Sequence, residues 1–268
     1  MANNPRALVT GASAGIGKSF AEHLARAGHS LVLVARRADR LQELGDRLQR
    51  EHGVDVEILP ADLGAVDGVA AVAARLGAEP AIDLLVNNAG YAARGSVADL
   101  DPDALERMLN VNIVALARLS HAAMKAMTAA KRGRIINIAS GTVFMQLPGN
   151  AGYGASKNFV MAFTRTMQAE AAGSGVQVQL LIPGVIATDF HEVAGNTLSN
   201  FPPERVMQAD DLVVASLRAL EMGEDVCIPS LPDIRDWDAY VAAERQLAAN
   251  ASRDRISPRY HSSGRNAG

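Results

Sequence analysis

Two side chains capable of acid–base chemistry sit four residues apart in the stretch Gly152-Tyr153-Gly154-Ala155-Ser156-Lys157, just after a loop containing Pro148 and Gly149. If the stretch is helical, residues at i and i+4 share a face, so a phenol and an ammonium meet there. An unperturbed tyrosine, with a pKa of about 10, is poorly poised to exchange a proton at neutral pH. A neighbouring ammonium favours the phenolate and should bring that pKa down toward the working range. Tyr153 then serves as proton donor in one direction and acceptor in the other. The spacing alone fits ordinary stacking of Tyr on Lys equally well, so the elements around the pair decide.

The chain has 268 residues, 49% of them hydrophobic, and a net charge of -3. That length can bury a sizeable core. Cys227 is the only cysteine, so the chain has no internal disulfide and no cysteine-based zinc site, which fits a reducing compartment. Residues 1–6 run directly into an apolar strand without a signal-like segment, and the cytoplasm is the expected location. No uninterrupted apolar run approaches the roughly 18 residues of a membrane span. The slightly acidic balance argues against a broad basic surface for nucleic acid, with Arg36-Arg37 a local exception. A small ligand is expected, with neither nucleic acid nor membrane as partner.

Short apolar runs at 7–10, 31–35, 54–59, 84–87, 135–139, 176–182 and 226–228 read as strands. Helical patterns near 16–27, 38–51, 66–76, 102–129, 153–172 and 210–221 lie between them. Consecutive apolar residues, as in "LVLVA" and "LLVN", predict strands covered on both faces. The alternation predicts a doubly wound α/β fold, a Rossmann-like parallel sheet with helices on both sides. No linker divides the chain, so one domain is expected over 1–249. The stretch 250–268, rich in Ser, Arg, Asn and Gly, reads as a mobile C-terminal tail that could also reach a neighbouring subunit.

The first strand ends in Thr10-Gly11-Ala12-Ser13-Ala14-Gly15-Ile16-Gly17 and an amphipathic helix follows at once. Glycines at 11, 15 and 17 permit a tight turn, clear side chains from the path of a pyrophosphate and aim the helix N-terminus at the anion. Such a turn gains its meaning from this strand-to-helix context. Where an NAD-selective site holds an acidic residue at the end of the second strand, this chain has Arg36 and Arg37. Two guanidiniums attract a ribose 2′-phosphate, favouring NADP(H), with NAD(H) still possible. The alternative leaves both as solvated charges at a helix start.

The ordered motifs "TGASAGIG" at 10–17, "ADL" at 61–63, "NNAG" at 87–90, Asn112, Ser140, "YGASK" at 153–157 and "PGVIAT" at 183–188 resemble the short-chain dehydrogenase/reductase family, in its single-domain group. The resemblance covers about 6–228. It implies Ser140, Tyr153 and Lys157 as the catalytic trio with Asn112 as a fourth member, bending its helix and holding a water that links Lys157 to solvent. Read alone, Asn112 would be a plain exposed polar residue. As a strand-end hydroxyl, Ser140 orients the substrate oxygen, and Lys157 also bonds the nicotinamide ribose. The same resemblance implies a cofactor set of Gly11, Ser13, Gly15, Ile16, Gly17, Arg36, Arg37, Asp62, Leu63, Asn88, Ala89, Gly90, Pro183, Gly184 and Thr188, joined by Tyr153 and Lys157. Asp62 would bond the adenine amino group, Asn88 to Gly90 line the adenosine, and Thr188 meet the carboxamide, with Asn87 mainly structural. One departure is Ala14, where many NADP-preferring relatives carry a basic residue.

The reading that follows is an NADP(H)-dependent carbonyl reductase or secondary alcohol dehydrogenase, packed as a homodimer or homotetramer. Its rival is a catalytically inactive nucleotide sensor or scaffold on the same fold. The six histidines show no ligand-like pairing and no metal is expected. His191 is a possible substrate contact, and Cys227 reads as a small core residue. Phe144, Met145 and Leu147 on one side, with Phe190, Val193, Leu198 and Phe201 on the other, suggest a partly apolar substrate pocket.

Overall fold

A computed structural model of the chain describes residues 4–188 and 197–261. They form two compact units, one through Pro229 and one from Ser230. The first opens with β1 (Arg6–Thr10), α1 (Gly15–Arg26), β2 (Ser30–Ala35), α2 (Ala38–His52), β3 (Val56–Pro60), α3 (Val66–Leu76) and β4 (Leu84–Asn87). There follow α4 (Pro102–Leu109), a π-helical stretch Asn110–Ala115, α5 (Leu116–Ala130), β5 (Gly133–Ile138), α6 (Ala151–Ala171) and β6 (Val176–Leu181). Short strands β7 (Val185–Ala187) and β8 (Val206–Gln208), then α7 (Ala209–Glu221) and β9 (Val226–Cys227), complete it.

Seven strands form one parallel sheet in the order β3-β2-β1-β4-β5-β6-β9. The order reverses between β1 and β4, where Leu8 lies in register with Val32 on one side and Leu85 on the other. A crevice opens at such a switch point beyond the strand C-termini, and ligands of this architecture gather there. The expected doubly wound sheet is therefore the one observed.

Alternation along each strand explains why both faces are dry. Ala7, Val9, Leu31 and Leu33 join Phe20, Leu24, Leu41, Leu48 and Leu212 on the face covered by α1, α2 and α7. Leu8, Val32 and Val34 point the other way, to Val72, Leu119, Ala123 and Met167 of α3, α5 and α6. Cys227 is buried on β9, where desolvation pushes its thiol up to about 12, as suits a small core residue.

Three elements depart from the expectation. The helix predicted at 102–129 is interrupted by the π-helical stretch around Asn112. The two-stranded β7–β8 sheet escaped the sequence reading because three-residue strands carry no periodic signal. In the second unit α8 (Arg235–Asn250) was also missed, and its Trp237 and Tyr240 rings stack at 5.4 Å. Of the stretch expected as a tail, 251–261 holds only a 3-10 turn at Pro258–Tyr260, and 262–268 lies outside the described residues. No helix among the described residues is long and apolar enough to cross a membrane.

A buried polar network crosses the sheet beneath the crevice. The Asn87 amide donates to Ser120 Oγ at 3.0 Å and to Asn137 Oδ1 at 2.8 Å, while the Asn137 amide donates to Thr164 Oγ1 at 3.1 Å. It ties β4 and β5 to α5 and α6, the elements that carry the reactive groups described next. Replacing Asn137 with the similarly sized Leu strands the buried Asn87 donor, and we expect a loss of about 2 kcal/mol in urea denaturation. An unchanged midpoint would show that the network contributes nothing net.

Candidate active site

The glycine turn is shaped by its backbone. Gly11 and Gly15 adopt left-handed φ values of 68° and 52°, which only glycine takes at little cost. A Cβ on Gly17 would lie 2.4 Å from the Gly11 carbonyl oxygen and 2.5 Å from Asn88 Nδ2, so the turn closes only with glycine there. Ala14 precedes α1 and supplies no side-chain cap, and the first turn of α1 holds no acidic residue. Its N–H groups thus face the crevice without a competing carboxylate, as an anion cradle requires.

Residues after β4 lock this turn in place. Thr10 Oγ1 donates to the Val86 carbonyl at 3.2 Å and accepts the N–H groups of Asn88 and Ala89, each at 3.0 Å. Asn88 Nδ2 donates to the Thr10 carbonyl at 2.9 Å. The Asn88 N–H and Nδ2 groups therefore hold the turn after β4 to the glycine loop. Leu63 is buried in the core cluster that also holds Val69 and Val72 of α3. Asp62 is exposed and accepts the Gly64 N–H at 2.9 Å.

At the end of β2, Arg37 Nη2 donates to Ser13 Oγ at 3.1 Å, so a cation reaches the glycine turn directly. Arg36 is exposed beside it. Burial raises the pKa of the Tyr91 phenol, while the charges of Arg107 and Arg36 pull it back and Asp62 adds to the rise. The Tyr91 phenol thus lies within electrostatic reach of Arg36 and Asp62.

On the other side, β5 and α6 bring the reactive groups together. Ser140 follows β5 in extended conformation and caps the 3-10 turn Gly141–Phe144, accepting the Thr142 N–H at 3.3 Å. It also hydrogen-bonds the Tyr153 phenol. Tyr153, Ser156 and Lys157 occupy the buried face of α6, with the Lys157 ammonium 5.7 Å from the centre of the Tyr153 ring. The same ammonium donates to the Ile138 carbonyl at 2.9 Å.

Asn112 is buried, contrary to the reading of an exposed polar residue. Its Oδ1 accepts the Tyr91 N–H at 3.1 Å, and its Nδ2 donates to the Tyr91 carbonyl and to Ser156 Oγ, both at 3.0 Å. Ser156 Oγ in turn donates to the Tyr153 carbonyl at 2.7 Å. Asn112 thereby clamps the loop after β4 to α6, and the π-helical stretch widens the helix at the point where this amide turns inward. Gly90 completes the contact, because a Cβ there would sit 3.1 Å from Asn112 Oδ1 and 3.6 Å from Lys157 Nζ. The sequence reading missed Tyr91 and Ser156. Their positions, directly after "NNAG" and inside "YGASK", were the available signal.

The electrostatics reverse one expectation. Burial pushes the Tyr153 phenol up to about 12, although the Ser140 hydrogen bond and the Arg94 charge oppose the shift. Burial also draws Lys157 down to about 8. Desolvation of the phenol dominates, and the lowering expected from the neighbouring Lys157 is not what sets the Tyr153 pKa. At neutral pH the phenol thus holds its proton, which is the form a general acid needs.

Beyond β6, the Pro183 carbonyl accepts the Gly141 N–H at 2.7 Å, joining the Pro183-Gly184 bend to the Ser140 turn. The Thr188 side chain abuts the glycine loop, 3.2 Å from where a Gly15 Cβ would stand. Phe190, His191 and Val193 lie outside the described residues, whereas Leu198 and Phe201 sit at a 3-10 turn. A glycine cradle that side chains would fill, an uncapped helix start and a buried Tyr–Lys pair across the crevice suit a nicotinamide dinucleotide.

A parallel sheet in this order, with a glycine turn at the reversal point, defines a Rossmann-type dinucleotide-binding fold. The short chain dehydrogenase family model matches residues 5–198, and the chain belongs to that family of oxidoreductases. Among solved structures, a short-chain dehydrogenase from Sphingobium yanoikuyae in complex with NADPH superposes with a TM-score of 0.91 at 38% identity, covering 96% of this chain and 99% of that one. The bulky-bulky ketone specific alcohol dehydrogenase from Comamonas testosteroni gives 0.88 at 33% identity, covering 97% and 99%. The very-long-chain 3-oxoacyl-CoA reductase-B of Danio rerio is 31% identical over 208 residues, 76% of this chain, and the match spans 66% of that relative's length.

Because the turn leaves no room at Gly17, Gly17→Ala should weaken binding of a nicotinamide dinucleotide at least about tenfold, the loop being forced off the pyrophosphate path. Fluorescence titration would show this, and unchanged affinity would remove the turn from the binding site.

Proposed function

We propose that the protein is an NADP(H)-dependent carbonyl reductase, or secondary alcohol dehydrogenase in reverse, with Tyr153 as general acid and base. The observation that carries this reading is the buried cluster in which Ser140 holds the Tyr153 phenol and Lys157 lies 5.7 Å from its ring. The nicotinamide supplies the hydride, or takes it in the oxidation.

Every other step belongs to the chain's own residues. Ser140 and the Tyr153 hydroxyl converge where a carbonyl oxygen would sit, so both can polarise it and favour the charge that grows there. The Tyr153 proton passes to that oxygen as it becomes an alkoxide. Lys157, held by the Ile138 carbonyl, favours the phenolate left behind and is placed to bond the nicotinamide ribose. Asn112 holds both the Tyr91 backbone and the Ser156 hydroxyl and is a positioning residue.

The preference for NADP(H) is supported by Arg37 on Ser13, by Arg36 beside it and by the absence of a carboxylate at the end of β2. A guanidinium matches a 2′-phosphate and has nothing to accept from a free ribose hydroxyl. The NADPH complex of the Sphingobium relative points the same way. Bulky ketones, named for the Comamonas relative, are the substrate class to try first.

Following absorbance at 340 nm with NADPH and with NADH against a ketone and aldehyde panel tests this reading. We expect turnover that favours NADPH and falls about a thousandfold or more in Tyr153→Phe, with NADPH binding retained. Comparable turnover in that variant would sink the mechanism, and silence across the panel despite tight NADPH binding would favour the sensor alternative.

The pH dependence follows from Lys157. Its ammonium is charged below about 8 and neutral above, while Tyr153 keeps its proton up to about 12. We expect kcat/KM for ketone reduction to hold level at lower pH and to fall as pH rises through about 8. A profile level to pH 10 would show that the charge on Lys157 takes no part.

A further inference from the structure

Arg94 stands four residues past Gly90, on the exposed loop that follows the Asn88 turn, and no role has yet fallen to it. The residue before it is anchored at the reactive tyrosine. Ala93 packs against the cluster formed by Tyr153, Ala92 and Met108, and its N–H is bonded to Met108 Sδ at 3.1 Å. The residue after it joins a second loop, because the Gly95 N–H donates to the Gly149 carbonyl at 3.0 Å. That second loop runs from Ser140 and exposes Phe144, Met145 and Leu147 at 42%, 52% and 48%.

The Gly95–Gly149 bond thus links the loop that carries Arg94 to the loop that carries Ser140 and an exposed apolar strip. Among the described residues no hydrogen bond or ion pair engages Arg94, whereas Arg107 nearby is matched to Asp101 at 3.5 Å. The charge of Arg94 nevertheless reaches the Tyr153 phenol, pulling its pKa down against burial.

We propose that Arg94 recognises the substrate, and that the substrate is a ketone, or the corresponding alcohol, with an apolar body ending in a carboxylate. The inference rests on reading Tyr153 as the group that protonates the carbonyl oxygen. A single planar guanidinium suits a carboxylate, which it can hold through two parallel N–H···O bonds, and gives one positive charge to one negative charge. The apolar strip accounts for the body of the molecule, since it would leave water when covered.

The test uses the full chain with NADPH and a series of (ω-1)-oxo carboxylic acids of increasing length, each paired with its methyl ester. Acid and ester share the carbonyl and the apolar body and differ in the charge at the far end. The quantity read is the ratio of kcat/KM for acid to that for ester, which cancels general damage to the enzyme. At the best chain length we expect the wild type to prefer the acid roughly tenfold. Arg94→Ala should bring the ratio close to one, chiefly through KM for the acid, and Arg94→Lys should recover part of it.

A wild-type ratio near one, or a ratio that Arg94→Ala leaves unchanged, overturns the proposal while leaving the reductase reading intact. Turnover of neither acid nor ester at any length overturns the substrate class, and the reductase reading is then judged by the ketone panel and Tyr153→Phe.

Discussion

Lys157 keeps its ammonium inside the protein, bonded to the Ile138 carbonyl at 2.9 Å, and much of the surrounding architecture serves that placement. Its pKa lies below that of a lysine in water because burial disfavours the charge. The unfolded chain therefore binds the proton more tightly between about 8 and the ordinary lysine value. Stability gains from this group as pH rises through that window, and at neutral pH the buried charge costs on the order of 3 kcal/mol. A protein keeps such a group when chemistry needs it, and the sheet packed on both faces supplies the stability that offsets it.

Holding a charge there requires neighbours that do not yield. The Ile138 carbonyl belongs to the last residue of β5, whose partner strands lie on both sides. Asn112 braces the same buried face of α6 through Ser156, and the Asn87–Asn137–Thr164 network ties β4 and β5 to α6 as well. The glycine turn follows the same design with different parts. Thr10 and Asn88 use their side chains to fix the backbone of the glycine turn and of the loop after β4. Rigid backbone donors suit a pyrophosphate better than side chains that would first have to be ordered.

The sequence disclosed the fold because its signals were periodic and local. The runs at 31–35 and 84–87 are uninterrupted apolar strands, and the glycines at 11, 15 and 17 sit between a strand and a helix. The candidate site was legible to the extent that its members fall on those elements: Ser140 at a strand end, and Tyr153 and Lys157 on one helix face. Tyr91 and Ser156 were hidden because their roles depend on contacts with Asn112, at sequence separations of 21 and 44. The π-helical stretch stayed hidden as well, because nothing local in the sequence around Asn112 separates it from the α-helix on either side. The direction of the Tyr153 shift also lay out of reach. Charge spacing can be read along a helix, but desolvation depends on how completely the rest of the chain closes around it.

Chemistry and recognition occupy different physical layers of this molecule. Tyr153, Lys157 and Asn112 are buried on elements fixed by the sheet, and changing them disturbs the core. Arg94, Val97, Phe144, Met145 and Leu147 are exposed on loops joined by the Gly95–Gly149 bond. Residues there can change with little penalty to folding. On the proposed mechanism, a buried proton-transfer geometry joined to replaceable exposed loops could serve many carbonyl compounds. It also means that substrate class must be sought in the charge and shape of those loops, since the groups that carry out the chemistry are indifferent to what lies beyond the carbonyl.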